Sequence, residues 1–429
     1  MQKLGAEELT DLINGAAFFG SGGGGSLQLA LKYVELLKQF PPIELIDIQE
    51  VNDQEWGAVV AAVGAPPSST DEFAMSSQNS LALGVHNTVL LNPAALNYLE
   101  SCLESQPLSN NSSLDVSELV RLLSKPFELL EKALNLKNNK FSFSLAIETG
   151  AGNVLVAILV AAIKKIRLIN GCGAGRSVPQ LNMTTYAFSD ISPEPAVLIS
   201  TSSLQTSTAM NRFDGKEIEM LLNSYEVKAF EQLVRKIVSL EEFNNYGLLA
   251  TYAMTGQTLK TKKPIIPGTL SKAQSLGSIL RKAKMQGRDP VEAALDFLNA
   301  NSDTSKQKSA YKIFQGIITK ILPKKVQSGF MEGIVILEKD NIQVRILYKN
   351  ENLIAWQSNK LEPLVMGPDL ICYLTPKGVP LTNADIQEGD ELVLIGIKAP
   401  KEIQNEQIRQ IFHELAGYYG IHLTIDKLR

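Results

Sequence analysis

The residues best equipped for chemistry lie in one stretch, Ser144–Arg176, SLAIETGAGNVLVAILVAAIKKIRLINGCGAGR. Glu148 can act as an acid, a base or a hydrogen-bond acceptor, or can simply satisfy N–H groups of the turn that follows it. Cys172, set among glycines beside Arg176, could carry a lowered thiol pKa and act as a nucleophile. The opposing reading is a small buried hydrophobe, since no histidine stands nearby in sequence to serve as its base. Arg176 offers a planar fork of donors suited to an anion or a carbonyl group. Asn153, Asn170 and Thr184, the last in Asn182-Met183-Thr184-Thr185, add neutral groups for holding a ligand.

A second segment, Gly20-Ser21-Gly22-Gly23-Gly24-Gly25-Ser26, precedes a run with helical periodicity. Gly22, Gly23 and Gly24 leave the backbone bare to a ligand, and Ser26 can cap the helix, whose free N–H groups favour a phosphate or carboxylate. It is not a P-loop, because Ser26-Leu27 stand where Lys-Ser/Thr is required, and no strand precedes it as in a dinucleotide loop. The alternative is a flexible connection between two helices.

Positioning these groups requires a strand, a helix and a second strand. Phe141 to Ile147 reads as the first strand, Val154 to Lys165 as the helix and Arg167 to Ile169 as the second strand. A right-handed parallel crossover places Glu148–Asn153 and Asn170–Arg176 on one sheet edge, facing each other across a crevice. Around this unit, helices are expected over Ala6 to Phe19, Ser26 to Phe40, Lys228 to Ser239 and Asn245 to Met254. Ser271 is expected to cap a further helix that stops near Gly287. A helix from Asn92, a surface insertion at 106–113 and a terminal strand in IHLTI complete the expectation, with β-rich chain from Gly329. The fold class is α/β: an N-terminal mixed or parallel-sheet domain over 1–179 and a C-terminal α+β domain over 180–429, β-rich after 326.

With 429 residues and 45% hydrophobic content, the chain can bury sizeable cores. A net charge of −4 offers no general attraction for nucleic acid or an anionic membrane. The basic excess over Lys260 to Lys325, 14 basic against 4 acidic residues, reads as solvated helix faces. The N-terminus lacks the pattern of a secretory signal, and apolar runs fall short of the roughly 20 residues that span a bilayer, so a cytoplasmic, soluble protein is expected. Three widely spaced cysteines argue against a disulfide framework. Three histidines without HExxH or CxxC pairing give no zinc pattern, so no cofactor is expected and a divalent metal has no support in the sequence.

Taken in order, several landmarks resemble the S-methyl thiohydantoin desulfurase family. They are Gly15-Ala16-Ala17-Phe18-Phe19-Gly20 with its glycine run, Gly64-Ala65-Pro66, Ile147-Glu148 through Asn153, Gly173-Ala174-Gly175-Arg176 with Pro179, and Asn182-Met183-Thr184-Thr185. Gly268-Thr269, Gly329-Phe330, Asn350-Glu351-Asn352-Leu353 and Pro368-Asp369-Leu370-Ile371 continue the series. The resemblance implies a swivelling β/β/α part in the C-terminal domain, a ligand between the domains, and hydrolysis of a hydantoin- or thiohydantoin-type cyclic amide. It also implies a hydantoinase- or oxoprolinase-type subunit as a partner beside the small heterocycle or anion; a homo-oligomer stays open. Where the family pattern is Asp-x-Asp-Gly this chain has Asn170 and Cys172, and Gln180 replaces a glutamate. An amide cannot act as a general base, so a catalytically degenerate binding or accessory subunit is the alternative.

Overall fold

The structure, a computed structural model, describes residues 1–64, 116–136, 140–200, 218–243, 245–300, 308–327, 330–360 and 362–418. The helix expected from Asn92, the insertion at 106–113 and the terminal IHLTI strand lie outside the described residues.

Two sheets organise the chain. The first contains β1 (Gln2–Leu4), β2 (Ile43–Ile46), β3 (Trp56–Gly64), β4 (Phe141–Ala146), β5 (Arg167–Cys172), β6 (Ala196–Ile199), β7 (Glu219–Leu222), β8 (Tyr246–Thr255) and β9 (Ile266–Pro267). Their order is β1-β2-β5-β4-β3-β8-β6-β7, with β9 against β5. The centre, β2-β5-β4-β3, is parallel, and the flanking pairs are antiparallel. Parallel strands buried on both faces read as continuous apolar runs, as Ala58–Val63 does. This sheet takes in strands from well beyond residue 179.

Helices α1 (Ala6–Phe19), α2 (Leu27–Leu37), α3 (Val116–Ala133) and α4 (Ala151–Lys164) contribute to the core. The β4-α4-β5 unit is the one expected from the sequence. α4 is apolar nearly all round and is buried accordingly, from Val154 to Ala162. After it come α5 (Val227–Val238), α6 (Gly256–Lys262), α7 (Thr269–Met285) and α8 (Pro290–Ala300).

Three expectations are corrected. Asn245 to Met254 forms strand β8, not a helix: the short apolar run YGLLATYAMT is ambiguous by periodicity, and two-sided pairing with β3 and β6 decides it. The second strand of the central unit continues to Cys172, which takes Asn170 and Cys172 out of the turn. Ser271 does not cap α7; its N–H instead donates to Asn170 Oδ1 at 3.0 Å.

The second sheet is antiparallel throughout: β10 (Ala310–Gln327), β11 (Phe330–Lys339), β12 (Ile342–Lys349), β13 (Glu351–Gln357), β14 (Pro363–Met366), β15 (Leu370–Leu374), β16 (Pro380–Leu381) and β17 (Glu391–Ile397). Its order is β14-β13-β12-β11-β10-β17-β15-β16, and a last helix, α9 (Glu406–Tyr418), follows. Bulges in β10 curl the sheet into a half-barrel. β10 begins the β-rich half earlier than Gly329, and its Lys312 and Lys320 point to solvent.

Candidate functional site

A pocket opens at the C-terminal ends of β3 and β4, where open α/β sheets bind ligands. It encloses about 720 Å³ of non-atom space, part of it open to solvent. Ala61–Gly64 of β3 form one wall, and Glu148, Gly152 and Asn153 form the next. Gly24 and Gly25 close a third side, 178–181 with Thr184 and Arg235 a fourth, and the β12–β13 tip at Asn350-Glu351 reaches in from the second sheet.

Glu148 is only 5% exposed. Its Oε1 accepts from Asn153 Nδ2 at 2.7 Å, and its Oε2 accepts from the Val178 N–H at 2.7 Å. Asn153 is held in turn, its Oδ1 accepting from the Ala62 N–H of β3 at 2.9 Å. Burial raises the Glu148 pKa, while the Val178 N–H and the Asn153 amide pull it back by stabilising the charged form.

The second carboxylate is Glu351, only 3% exposed. Burial pushes its pKa well up, and the neighbouring charge of Glu148 pushes it further; Arg176 opposes both. Its Oε2 has no hydrogen-bond partner among the described residues. The turn that delivers it depends on Asn350, left-handed at φ 56°, a conformation that asparagine tolerates. Asn350 Oδ1 accepts from the Met331 N–H at 2.8 Å and the Asn350 N–H donates to Met331 O at 2.7 Å, clamping the tip.

Arg235 supplies positive charge on the pocket wall. Its Nε donates to Glu231 Oε1 at 2.7 Å, its Nη2 donates to Pro179 O at 2.8 Å, and its guanidinium lies 4.3 Å from the centroid of the Phe330 ring. Glu231 Oε2 also accepts from the Leu181 N–H at 3.0 Å, which fixes the 178–184 wall to α5.

The residues singled out in the sequence divide. Glu148, Asn153, Thr184 and Gly24 line the pocket. Thr184 donates to Leu181 O at 2.8 Å. Cys172, Asn170, Arg176, Gly22, Gly23 and Ser26 are not among its lining residues.

The crevice expected between Glu148–Asn153 and Asn170–Arg176 is closed, because neighbouring parallel strands let these turns bond directly. The Thr149 N–H donates to Arg176 O at 3.2 Å and the Gly173 N–H to Ile147 O at 3.0 Å. Cys172 is fully buried rather than exposed. Its Sγ lies 3.1 Å from Thr149 Oγ1 and accepts from the Gly175 N–H at 3.2 Å and Thr269 Oγ1 at 3.4 Å. Asn170 joins β5 to α7, with Nδ2 donating to Asp47 Oδ1 at 2.9 Å and Ser271 Oγ at 3.2 Å.

Arg176 meets backbone carbonyls rather than an outside anion. It is fully buried and donates to Ser177 O, Pro368 O, Asp369 O and Asn352 O at 2.8–3.1 Å. The helix N-terminus at Ser26 has found its carboxylate within the chain. The Leu27 N–H donates to Asp385 Oδ2 at 3.0 Å, and Ser26 Oγ donates to Asp385 Oδ1 at 2.5 Å. The bare backbone of the glycine run is likewise filled by protein: a Cβ on Gly23 would lie 2.1 Å from Glu351 Oε1, and one on Gly24 2.4 Å from Gly150 Cα. Asn383 donates its N–H to Gly22 O at 2.7 Å.

Glu351 and Arg235 line the pocket, though reading the sequence did not assign them to the site. Asn350-Glu351-Asn352 was legible as one of the ordered landmarks, but a glutamate at a hairpin tip ordinarily faces water.

Comparison with known proteins agrees with this architecture. The chain is similar over 98% of its length to the X-ray crystal structure of a protein from Chromobacterium violaceum, itself 98% covered, with 26% identity and a TM-score of 0.69. No curated protein matches. The family model for the S-Me-THD-like N-terminal domain matches residues 7–208, and that for the S-Me-THD-like C-terminal domain matches residues 225–424. With both of its halves matched in order, the chain belongs to the S-Me-THD-like family, that of the S-methyl thiohydantoin desulfurases.

Proposed function

We propose that this protein hydrolyses a small thiohydantoin- or hydantoin-type heterocycle in the pocket between its two sheets, with Glu148 and Glu351 as a base–acid pair. The observation that carries the reading is the pair itself: two buried carboxylates on one pocket, Glu351 raised in part by the charge of Glu148, in different hydrogen-bond settings. Environments that push two titrations apart assign the roles. Glu148 accepts two N–H donors that favour its charged form, so it is the base. Glu351, with an unpartnered Oε2 and the larger upward push, keeps its proton and is the acid.

In the reaction, Glu148 takes a proton from water as the water oxygen bonds to the ring carbon. Glu351 gives its proton to the departing sulfur or ring nitrogen as that bond breaks. The pair ends with one proton, now on Glu148, and exchange with solvent restores the starting state. Thr184 and Gln180 supply neutral groups to the wall that orients the ring.

The accessory-subunit alternative drew on carboxylates replaced by Asn170, Cys172 and Gln180. Asn170 and Cys172 lie off the pocket and two other carboxylates remain on it, so only Gln180 bears on the chemistry. The test is release of thiol or ring-opened product from thiohydantoin and hydantoin substrates. Glu148→Gln and Glu351→Gln should each lower kcat/KM by about 10²- to 10⁴-fold, the usual contribution of a positioned acid or base. Cys172→Ala should retain activity within about threefold, since the thiol does not reach the pocket. Wild-type rates in both glutamine variants would remove the assignment.

A further inference from the structure

The last pair of the β3–β4 ladder is Val60 with Ala146, and further along β3 the Ala62 N–H meets a side chain instead of a strand. That side chain is Asn153, in the first turn of α4 and on the pocket wall. The contact has a fixed direction. A backbone N–H can only donate, so the Asn153 atom facing Ala62 must be the carbonyl oxygen. The amide nitrogen is thereby turned to Glu148 Oε1, and it too can only donate. From the opposite wall the Val178 N–H, again an obligate donor, meets Glu148 Oε2.

We infer that Asn153 is a positioning residue, which carries the polarity of the Ala62 N–H across to Glu148 and, with Val178, holds that carboxylate as an acceptor at both oxygens. A proton collected by Glu148 must then take a lone pair outside both bonds, since neither donor can turn round to accept. Both donors favour the charged carboxylate, which returns the group to its basic form after each turnover.

The inference rests on the hydrolytic reading for the role of Glu148 and adds the group that sets its working pH range. A mere clip between β3 and α4 would make the same hydrogen bonds, and the two roles separate by pH. The charged groups that face Glu148 among the described residues are Arg235 with its partner Glu231 on α5, Glu351 on β13 and Arg176 after β5. Substitutions at Asn153 leave all four in place, so a change in the titration of Glu148 reports the amide.

The experiment is the pH dependence of kcat/KM for wild type, Asn153→Ala and Asn153→Asp, each checked as folded by its melting curve. The acid limb reports ionisation of the base in the free enzyme. Asn153→Ala removes one donor to a charged acceptor and should move that limb up by about one to two pH units, with the rate above it within about tenfold of wild type. Asn153→Asp keeps an oxygen for the Ala62 N–H but sets a second carboxylate against Glu148 Oε1. The two must share a proton, and the limb should move up at least as far. Glu148→Gln should lose the limb and stay low at every pH. A readout without turnover follows the same titration: the infrared carbonyl band of the protonated carboxyl, identified as the band that Glu148→Gln removes. Its midpoint should rise with the limb in both Asn153 variants.

An equal fractional loss at every pH in Asn153→Ala, or a limb and infrared midpoint that stay at the wild-type position or move down, would overturn the inference. If the alanine variant does not fold, Asn153→Asp, which retains the Ala62 bond, carries the test. The infrared titration separates the two readings. Shifted midpoints without hydrolysis leave the positioning role standing and remove the enzyme, whereas hydrolysis with unshifted midpoints does the reverse.

Discussion

Glu351 and Arg176 show how two buried charged side chains can act on stability in opposite directions. Burial and the charge of Glu148 hold its proton more tightly in the folded chain than in the unfolded chain. Between the two titration ranges the folded state binds more protons, so this residue's contribution to stability falls as pH rises. Glutamine keeps the shape and removes the charge. Glu351→Gln should therefore melt higher than wild type, with a gain that widens from acid to neutral pH and reaches about 1–3 kcal/mol, the cost of an imperfectly satisfied buried polar group. Differential scanning calorimetry across that pH range checks it; a gain that shrinks with pH would contradict the raised titration. Arg176 behaves in the opposite way. Removing its guanidinium strands four backbone carbonyls, and Arg176→Met should cost about 3–5 kcal/mol in urea unfolding, as breaking a buried charged network does.

The element that changes most in meaning is the glycine-rich run between α1 and α2. Its bare backbone and helix N-terminus fit a ligand loop, yet their partners are the chain's own second sheet. Ser21 O accepts from the Asn352 N–H at 2.8 Å, Ser21 Oγ accepts from the Ile371 N–H at 2.8 Å, and Asp385 caps α2. Single alanines in the run should separate packing from function. Gly25→Ala meets nothing closer than 3.4 Å but must hold φ near +93°, a strain of about 1–2 kcal/mol. Gly23→Ala would drive into Glu351, so kcat/KM should fall by at least about tenfold, out of proportion to any loss in melting temperature. Parallel measurement of rates and melting curves distinguishes the two. Reading the run as an interface was not open to sequence reasoning, because bare backbone suits a phosphate and a neighbouring strand equally well.

Across the whole molecule, the two sheets are joined by groups that are buried and hydrogen-bonded, not by a thin polar seam. Arg176, Ser21, Gly22 and Asp385 all cross the junction, and one apolar core takes in Leu12, Ala16 and Val154 from the first half with Ile354, Leu370 and Phe412 from the second. The pocket needs both halves, since Glu148 and Glu351 come from different sheets. Unfolding should accordingly be a single transition by fluorescence and far-UV circular dichroism. Asp385→Asn should lower the unfolding free energy by about 1 kcal/mol, through loss of the charged cap, without splitting the transition. Two resolved transitions would mean that the halves fold independently.

Periodicity and turn chemistry in the sequence alone determined the βαβ unit, helices α1 and α2 and the β-rich second half, because those depend on local spacing; the family was legible only through the resemblance of its ordered short motifs. Glu148 and Asn153 were legible for the same reason: a strand's end and the turn after it lie on one sheet edge. Tertiary structure alone decided the rest. It converted Asn245–Met254 to a strand, closed the turn around Cys172, turned Arg176 inward and brought Glu351 some two hundred residues along the chain to Glu148. Each of these depends on which surface a segment meets across the fold. A one-residue extension of a strand or the burial of a hairpin tip inverts what a side chain faces, and no local pattern encodes that.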